Sequence, residues 1–152
     1  ARQLVDRARV QCQINRMTYG DPIPVSTLVK KMCDYKQSFT QYGGARPFGT
    51  ALLIAGVDDE GIHLFETDPS GAYQSYRAGA IGRSRSSVID YFENKWKSGM
   101  TKNAAIKLGL EALRESLEDE LNPDTVEIAS VDKDGYSKMD RETTLKHLAK
   151  LS

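Results

Sequence analysis

Residues able to do chemistry are sparse in this chain, and they do not fall into the patterns that chemistry needs. His63 and His147 are the only histidines, and neither has a cysteine or histidine at the short spacing that zinc sites use. The acids of "DDE" (58–60) and "DKD" (132–134) read as turn residues without calcium-loop spacing, and His63 reads as a sheet residue. Glu66 and Asp68 in "ETDPSG" are the carboxylate pair to test for acid–base work, although Asp68 before Pro69 reads first as a turn initiator. There is no G-x-S-x-G elbow, and neither Cys12 nor Cys33 has a basic local context that would activate a thiol. Residue 1 is alanine, not the Ser, Thr or Cys that an N-terminal nucleophile requires. No catalytic residue, metal ligand or cofactor site is assigned on this basis.

Two glycine-containing loops invite a phosphate-binding reading. "YGGARPFG" (42–49) runs from a helical pattern into an apolar run, the wrong direction for a phosphate cradle, which needs a helix N-terminus after the loop. Its expected role is a corner. Gly43 or Gly44 closes the helix with positive φ, Pro47 holds Arg46 extended, Phe48 enters the core and Gly49 permits close approach. Arg46 is the residue with a further job, an ion pair or a contact to a neighbouring chain. "AIGRSRSS" (80–87) has the right direction but no Walker pattern, so Ser84 or Ser86 is expected to cap the following helix. Arg83 and Arg85 leave a minor alternative, an anion- or partner-binding patch.

The elements that must position these residues follow from periodicity. At 152 residues the chain fits one domain, 1–152, and 21 basic residues balance 21 acidic ones, which argues against nucleic acid or an acidic membrane as partner. No apolar run reaches membrane-spanning length, no signal peptide is visible, and two apparently free cysteines suit a reduced, cytoplasmic setting. The chain opens without Met and already inside a helical pattern, so a processed or truncated chain is expected.

The first helix is expected from Arg2 to Met17, with Val5, Ala8 and Cys12 on one flank and Leu4, Val10, Ile14 and Met17 on another, hence covered on more than one side. Gly20 closes it. The second runs from Val25 to Gln41 with a stripe of Leu28, Val29, Met32, Tyr35 or Lys36, and Phe39. Thr50 to Val57 reads as a strand covered on both faces; "IHLFETD" and "AYQSYRAGAI" complete an antiparallel meander. A third helix carries Val88, Ile89, Phe92 and Trp96. A fourth, capped by Thr101, carries Ile106, Gly109, Leu110, Leu113 and Leu117. A hairpin through "DKDG" and a short helix capped by Asp140 end the chain. The order argues for an α+β class with antiparallel sheets. The breadth of the first helix and first strand suggests a second sheet underneath, and so an incomplete fold with poor stability as an isolated chain.

With "TYGDPIP", "QSFTQYGGARPFGTALLIAGVD" and "LFETDPSGAYQSYRAGAIG" in this order and spacing, the chain resembles the C-terminal two thirds of an alpha-type subunit of the 20S proteasome, archaeal in kind and lacking the N-terminal third. The resemblance implies the N-terminal nucleophile hydrolase sandwich, two antiparallel sheets between helical layers. It implies a non-catalytic subunit of a threonine protease complex, whose partners are other alpha subunits in a seven-membered ring, beta subunits, and a regulatory ATPase or activator. The outer ring would support assembly, gate substrate entry and dock the activator in ATPase-coupled protein degradation. The residues matching the family's structural or interface motifs are Tyr19 and Gly20, then Gly43, Gly44, Arg46, Pro47, Phe48 and Gly49. Asp68, Pro69, Ser70 and Gly71 match a tight turn, and Gly82 ends "AIG". The family's gating tail and activator-pocket lysine would lie upstream of residue 1. Arg83 departs from the compact step expected after Gly82. The alternative reading is a divergent N-terminal nucleophile hydrolase or a beta-type protease subunit whose nucleophile lies in the missing region.

Overall fold

The computed structural model describes residues 2–41, 43, 46–117 and 120–151. The chain divides into two compact units, Ala1–Arg77 and Ala78–Ser152.

The first unit opens with α1 (Arg2–Tyr19) and α2 (Val25–Gln41), followed by β1 (Leu52–Asp58), β2 (Gly61–Thr67) and a short β3 (Tyr73–Ser75). Gly20 ends α1 as expected, with φ +80° and its N–H on the Arg16 carbonyl at 2.9 Å. The core seam of α1 differs from the expected one. Leu4 and Asn15 are buried with Ala8 and Cys12 half-buried between them, whereas Val5, Val10, Ile14 and Met17 are exposed. One helical face is therefore covered, and the broad apolar flank is not. The reason is geometric: positions 4, 8, 12 and 15 line one face at 3.6 residues per turn, and 10, 14 and 17 point elsewhere.

Helix α2 supplies the unit's core. Val25, Val29 and Cys33 pack with Phe65 and Ile54, and the fully buried position left open between Tyr35 and Lys36 is Lys36. β1, β2 and β3 pair antiparallel in that order, with Ile54 opposite Phe65 and Gly56 opposite His63. This register puts Ile54, Gly56, Phe65 and Thr67 on the face toward α2. Contrary to the expectation of a strand covered on both sides, the other face is open: Leu53 and Ala55 are exposed, and Ile62 at the hairpin tip is 86% exposed. The third strand is also shorter than its sequence pattern. After Ser75 only the Tyr76 N–H still reaches the sheet, at the Leu64 carbonyl, and the segment to Ile81 is irregular. Tyr73 packs its ring edge on Phe65 yet stays 45% exposed.

The second unit holds α3 (Arg85–Lys95), α4 (Lys102–Ser116), the hairpin β4 (Ala129–Asp132) and β5 (Gly135–Lys138), and α5 (Arg141–Leu148) with a closing 3-10 turn. Thr101 caps α4, accepting the Ala104 N–H at 3.3 Å, and Asp140 caps α5, accepting the Thr143 N–H at 2.7 Å. The stripe of α4 is only partly as expected. Leu110 is buried with Val126 and Ile128, but Leu108 and Ala112 on a second face are buried too, while Leu113 and Leu117 are exposed. α4 is flanked by α3 on one side and by the segment before β4 on another, which explains two buried faces.

Candidate functional site

The "DPSG" turn and the start of β1 converge on one side chain of α2. Lys36 is completely buried, and its Nζ donates to the Thr50 carbonyl at 2.8 Å and to Thr67 Oγ1 at 3.1 Å. Thr50 leads into β1 and Thr67 ends β2, so one ammonium ties the open end of this antiparallel hairpin, where the two strands lie side by side, to the helix. Burial lowers the Lys36 pKa from the usual lysine value, with Cys33 and Asp68 acting weakly the other way. Beside it the Cys33 thiol is pushed up by burial, as is that of Cys12. Both cysteines are thus poor nucleophiles, as their sequence context suggested. Thr67, although bonded to a lysine, is fully buried.

Asp68 turns the chain immediately after Thr67. Its Oδ1 accepts the Ser70 hydroxyl at 2.7 Å and the Gly71 and Ala72 N–H groups at 3.0 Å each. The Ser70 hydroxyl, followed by these backbone donors, holds the Asp68 carboxyl below the usual range. The carboxylate serves as a turn organiser, the role its place before Pro69 first suggests. Gly71 has φ +95°, and a Cβ there would lie 2.7 Å from the Cys33 carbonyl oxygen and 3.1 Å from the Gln37 nitrogen. Only glycine lets this turn seat against α2.

The "GGARPFG" corner behaves differently from its expected details. Gly43 does not have positive φ, and Gly44 lies outside the described residues. A Cβ on Gly49 would meet nothing within 4 Å, so that glycine allows no close approach. The close approach falls instead at Gly56, where a Cβ would meet Val25 Cγ2 at 2.6 Å. Phe48 is half-buried in an aromatic group with Phe39 (4.8 Å) and Tyr35 (5.7 Å), next to α2 and not deep in the core. Arg46 and Pro47 are exposed, and Tyr19 is 72% exposed beyond the end of α1. Gly82, with φ +112°, precedes α3, and Ser84 holds the cap position of that helix without a side-chain cap bond, contrary to expectation. Arg83 beside it is exposed.

One organising residue escaped the sequence reading. Asp58, at the end of β1, accepts the Val25 N–H on Oδ2 at 2.9 Å and so caps α2 from 33 residues away. Its Oδ1 accepts the Glu60 N–H at 3.0 Å and meets His63 Nε2 at 2.8 Å. The Val25 amide, then His63 and Glu60, keep the Asp58 carboxyl below its ordinary range. The local signal shared by Asp58 and Asp132, Asp-x-x-Gly at a hairpin turn, was legible: Asp132 Oδ1 likewise accepts the Asp134 N–H, and Gly61 and Gly135 both have positive φ. The contact to α2 was not.

The sites so assembled join helix to sheet and close turns. A model of the proteasome subunit family matches residues 1–131. The chain belongs to the proteasome subunit family, and its helices with antiparallel strands have the α+β character of that N-terminal nucleophile hydrolase fold. Within it the chain is similar to archaeal alpha subunits. It is 54% identical over 142 residues to the proteasome subunit alpha of Methanopyrus kandleri, covering 93% of this chain and 58% of that protein. It is 51% identical over 143 residues to that of Archaeoglobus fulgidus (94% and 55%) and 50% identical over 153 residues to that of Thermococcus onnurineus (99% and 58%). The chain therefore spans between half and three fifths of the length of these relatives. No described helix is long and apolar enough to cross a membrane.

Proposed function

We propose that the chain acts through interfaces, as a non-catalytic alpha-type component of a proteasome core. In that role it joins a seven-membered ring of alpha subunits, stacks on beta subunits, and helps gate substrate entry and dock a regulatory ATPase or activator in the cytoplasm. The observation that carries this reading is the use made of the family motifs. Asp68, Ser70 and Gly71 seat a turn on α2, and Lys36 and Thr67 are wholly buried, so the polar groups of the motif region serve internal architecture. The similarity to alpha subunits favours this over the beta-type or divergent hydrolase alternative. Arg46, exposed at the corner, is assigned a contact with a neighbouring subunit.

The test is co-expression of the full-length protein containing this chain with the beta subunit of its own source, followed by native mass measurement and peptidase assay. A large co-complex whose peptidase activity is abolished by a beta-subunit nucleophile variant is expected. A protein that stays a solitary monomer at micromolar concentration, or cleaves peptides alone, overturns the reading. Arg46→Ala is expected to weaken ring formation while leaving the thermal unfolding of the free subunit unchanged.

A further inference from the structure

The tip of the β1–β2 hairpin brings together three side chains that differ in chemistry. Asp58 ends β1, Glu60 lies in the turn and His63 follows on β2, and one donor atom from each lies within 4.8 Å of the others. The 2.8 Å between His63 Nε2 and Asp58 Oδ1 is close to the edge of about 3 Å that two adjacent ligands span when each is about 2.1 Å from a first-row metal ion.

Two of the three are already held in place. Asp58 Oδ2 is tied to the Val25 N–H, which fixes the carboxylate plane and leaves Oδ1 on the side of the turn. The His63 ring lies nearly parallel to that of Phe65, 13° apart. Both side chains are largely covered, with 13% and 18% of their surface accessible, whereas Glu60 and Ile62 open the tip to water. The arrangement thus combines a largely covered nitrogen–oxygen pair with one exposed carboxylate on the solvent side. That suits ligand capture better than a pair of exposed turn acids does.

We propose that Asp58, Glu60 and His63 form a site for a borderline divalent transition-metal ion of the Zn²⁺, Co²⁺ or Ni²⁺ type, with water completing its coordination. His63 binds through Nε2, exchanging the hydrogen bond that this atom shares with Asp58 Oδ1 for the metal. Asp58 supplies Oδ1 and keeps Oδ2 on the helix, and Glu60 closes over the ion. The two carboxylates neutralise the dication. One imidazole with two carboxylates favours these ions over Ca²⁺ and Mg²⁺, which take more oxygen ligands and little nitrogen. Bound metal would cross-link the hairpin tip to the start of α2 through Asp58.

The probe is Co²⁺ titrated into the full-length protein containing this chain, read by visible d–d absorption, with Zn²⁺ displacing it. Saturable one-to-one binding is expected, weakened at least tenfold by His63→Gln and by Glu60→Gln and unchanged by His147→Gln. Glutamine at 63 keeps an N–H for Asp58, and Glu60 is exposed, so both variants retain the fold; circular dichroism checks this. Absence of saturable binding overturns the proposal. So does binding that neither variant weakens, or a cobalt–thiolate charge-transfer band that places the ion on Cys12 or Cys33.

Discussion

Replacing Lys36 by methionine keeps the length of the side chain and removes its charge and its two hydrogen bonds. Two terms oppose each other. Among the described residues no carboxylate pairs with the buried ammonium, and relieving its desolvation favours the variant. Against that, the variant leaves the Thr50 carbonyl and the Thr67 hydroxyl without their donor. Each hydrogen bond to a charged group contributes about 1.5–3 kcal/mol, and a buried acceptor left unpaired costs about 1–3 kcal/mol. The Thr67 hydroxyl can rotate to another acceptor, but the backbone carbonyl of Thr50 cannot. The second term therefore wins, and Lys36→Met is expected to destabilise the chain by about 2 kcal/mol. Urea unfolding of the wild type, Lys36→Met, Thr67→Val and the double variant measures it. The double variant is expected to cost less than the sum of the singles, because Thr67→Val removes one of the orphaned acceptors. The pH dependence carries a sign as well. Because the folded state lowers the Lys36 pKa, the unfolded chain binds more protons between the two values. The wild type thus gains stability as pH rises from the folded pKa to the ordinary lysine range, and Lys36→Met loses this gain. A variant as stable as the wild type, or more stable, with an unchanged alkaline profile would refute the reasoning.

The glycines make a paired test. Gly71→Ala places a Cβ against the Cys33 carbonyl at a positive φ and is expected to cost 2 kcal/mol or more, to order of magnitude roughly the sum of left-handed strain and overpacking, whereas Gly49→Ala meets nothing and is expected to be neutral or slightly stabilising; thermal unfolding compares the two. Asp68→Ala removes the acceptor of three turn bonds and is expected to loosen the turn, read as faster hydrogen exchange at Gly71 and Ala72. Since the folded state lowers the Asp68 pKa, its contribution is fully present above the ordinary carboxylate value and is lost as pH falls through the folded one. The acid limb of the stability profile should therefore flatten in Asp68→Ala.

What the residues determine alone is local. Helix α2, the Thr101 and Asp140 caps, the "DPSG" turn and both Asp-x-x-Gly hairpins follow from side-chain groups within a few positions of the backbone they serve, so their signals survive in one dimension. The order and spacing of the motifs likewise carry the family signature in the sequence. Periodicity was less informative for α1, β1 and α4, because an apolar stripe states what can be buried and not which flank finds a partner; Val10, Ile14, Leu53 and Leu117 are apolar and exposed. Three facts belong to tertiary structure alone. Periodicity leaves the buried position open between Tyr35 and Lys36, and the choice falls on Lys36 only because Thr50 and Thr67 close over it, 14 and 31 residues away. Asp58 looked like a turn acid until β1 delivered it to the first amide of α2. The glycine that needs its missing side chain proved to be Gly71 and not Gly49, because steric demand depends on which backbone arrives opposite, and that is set only when helix and sheet pack.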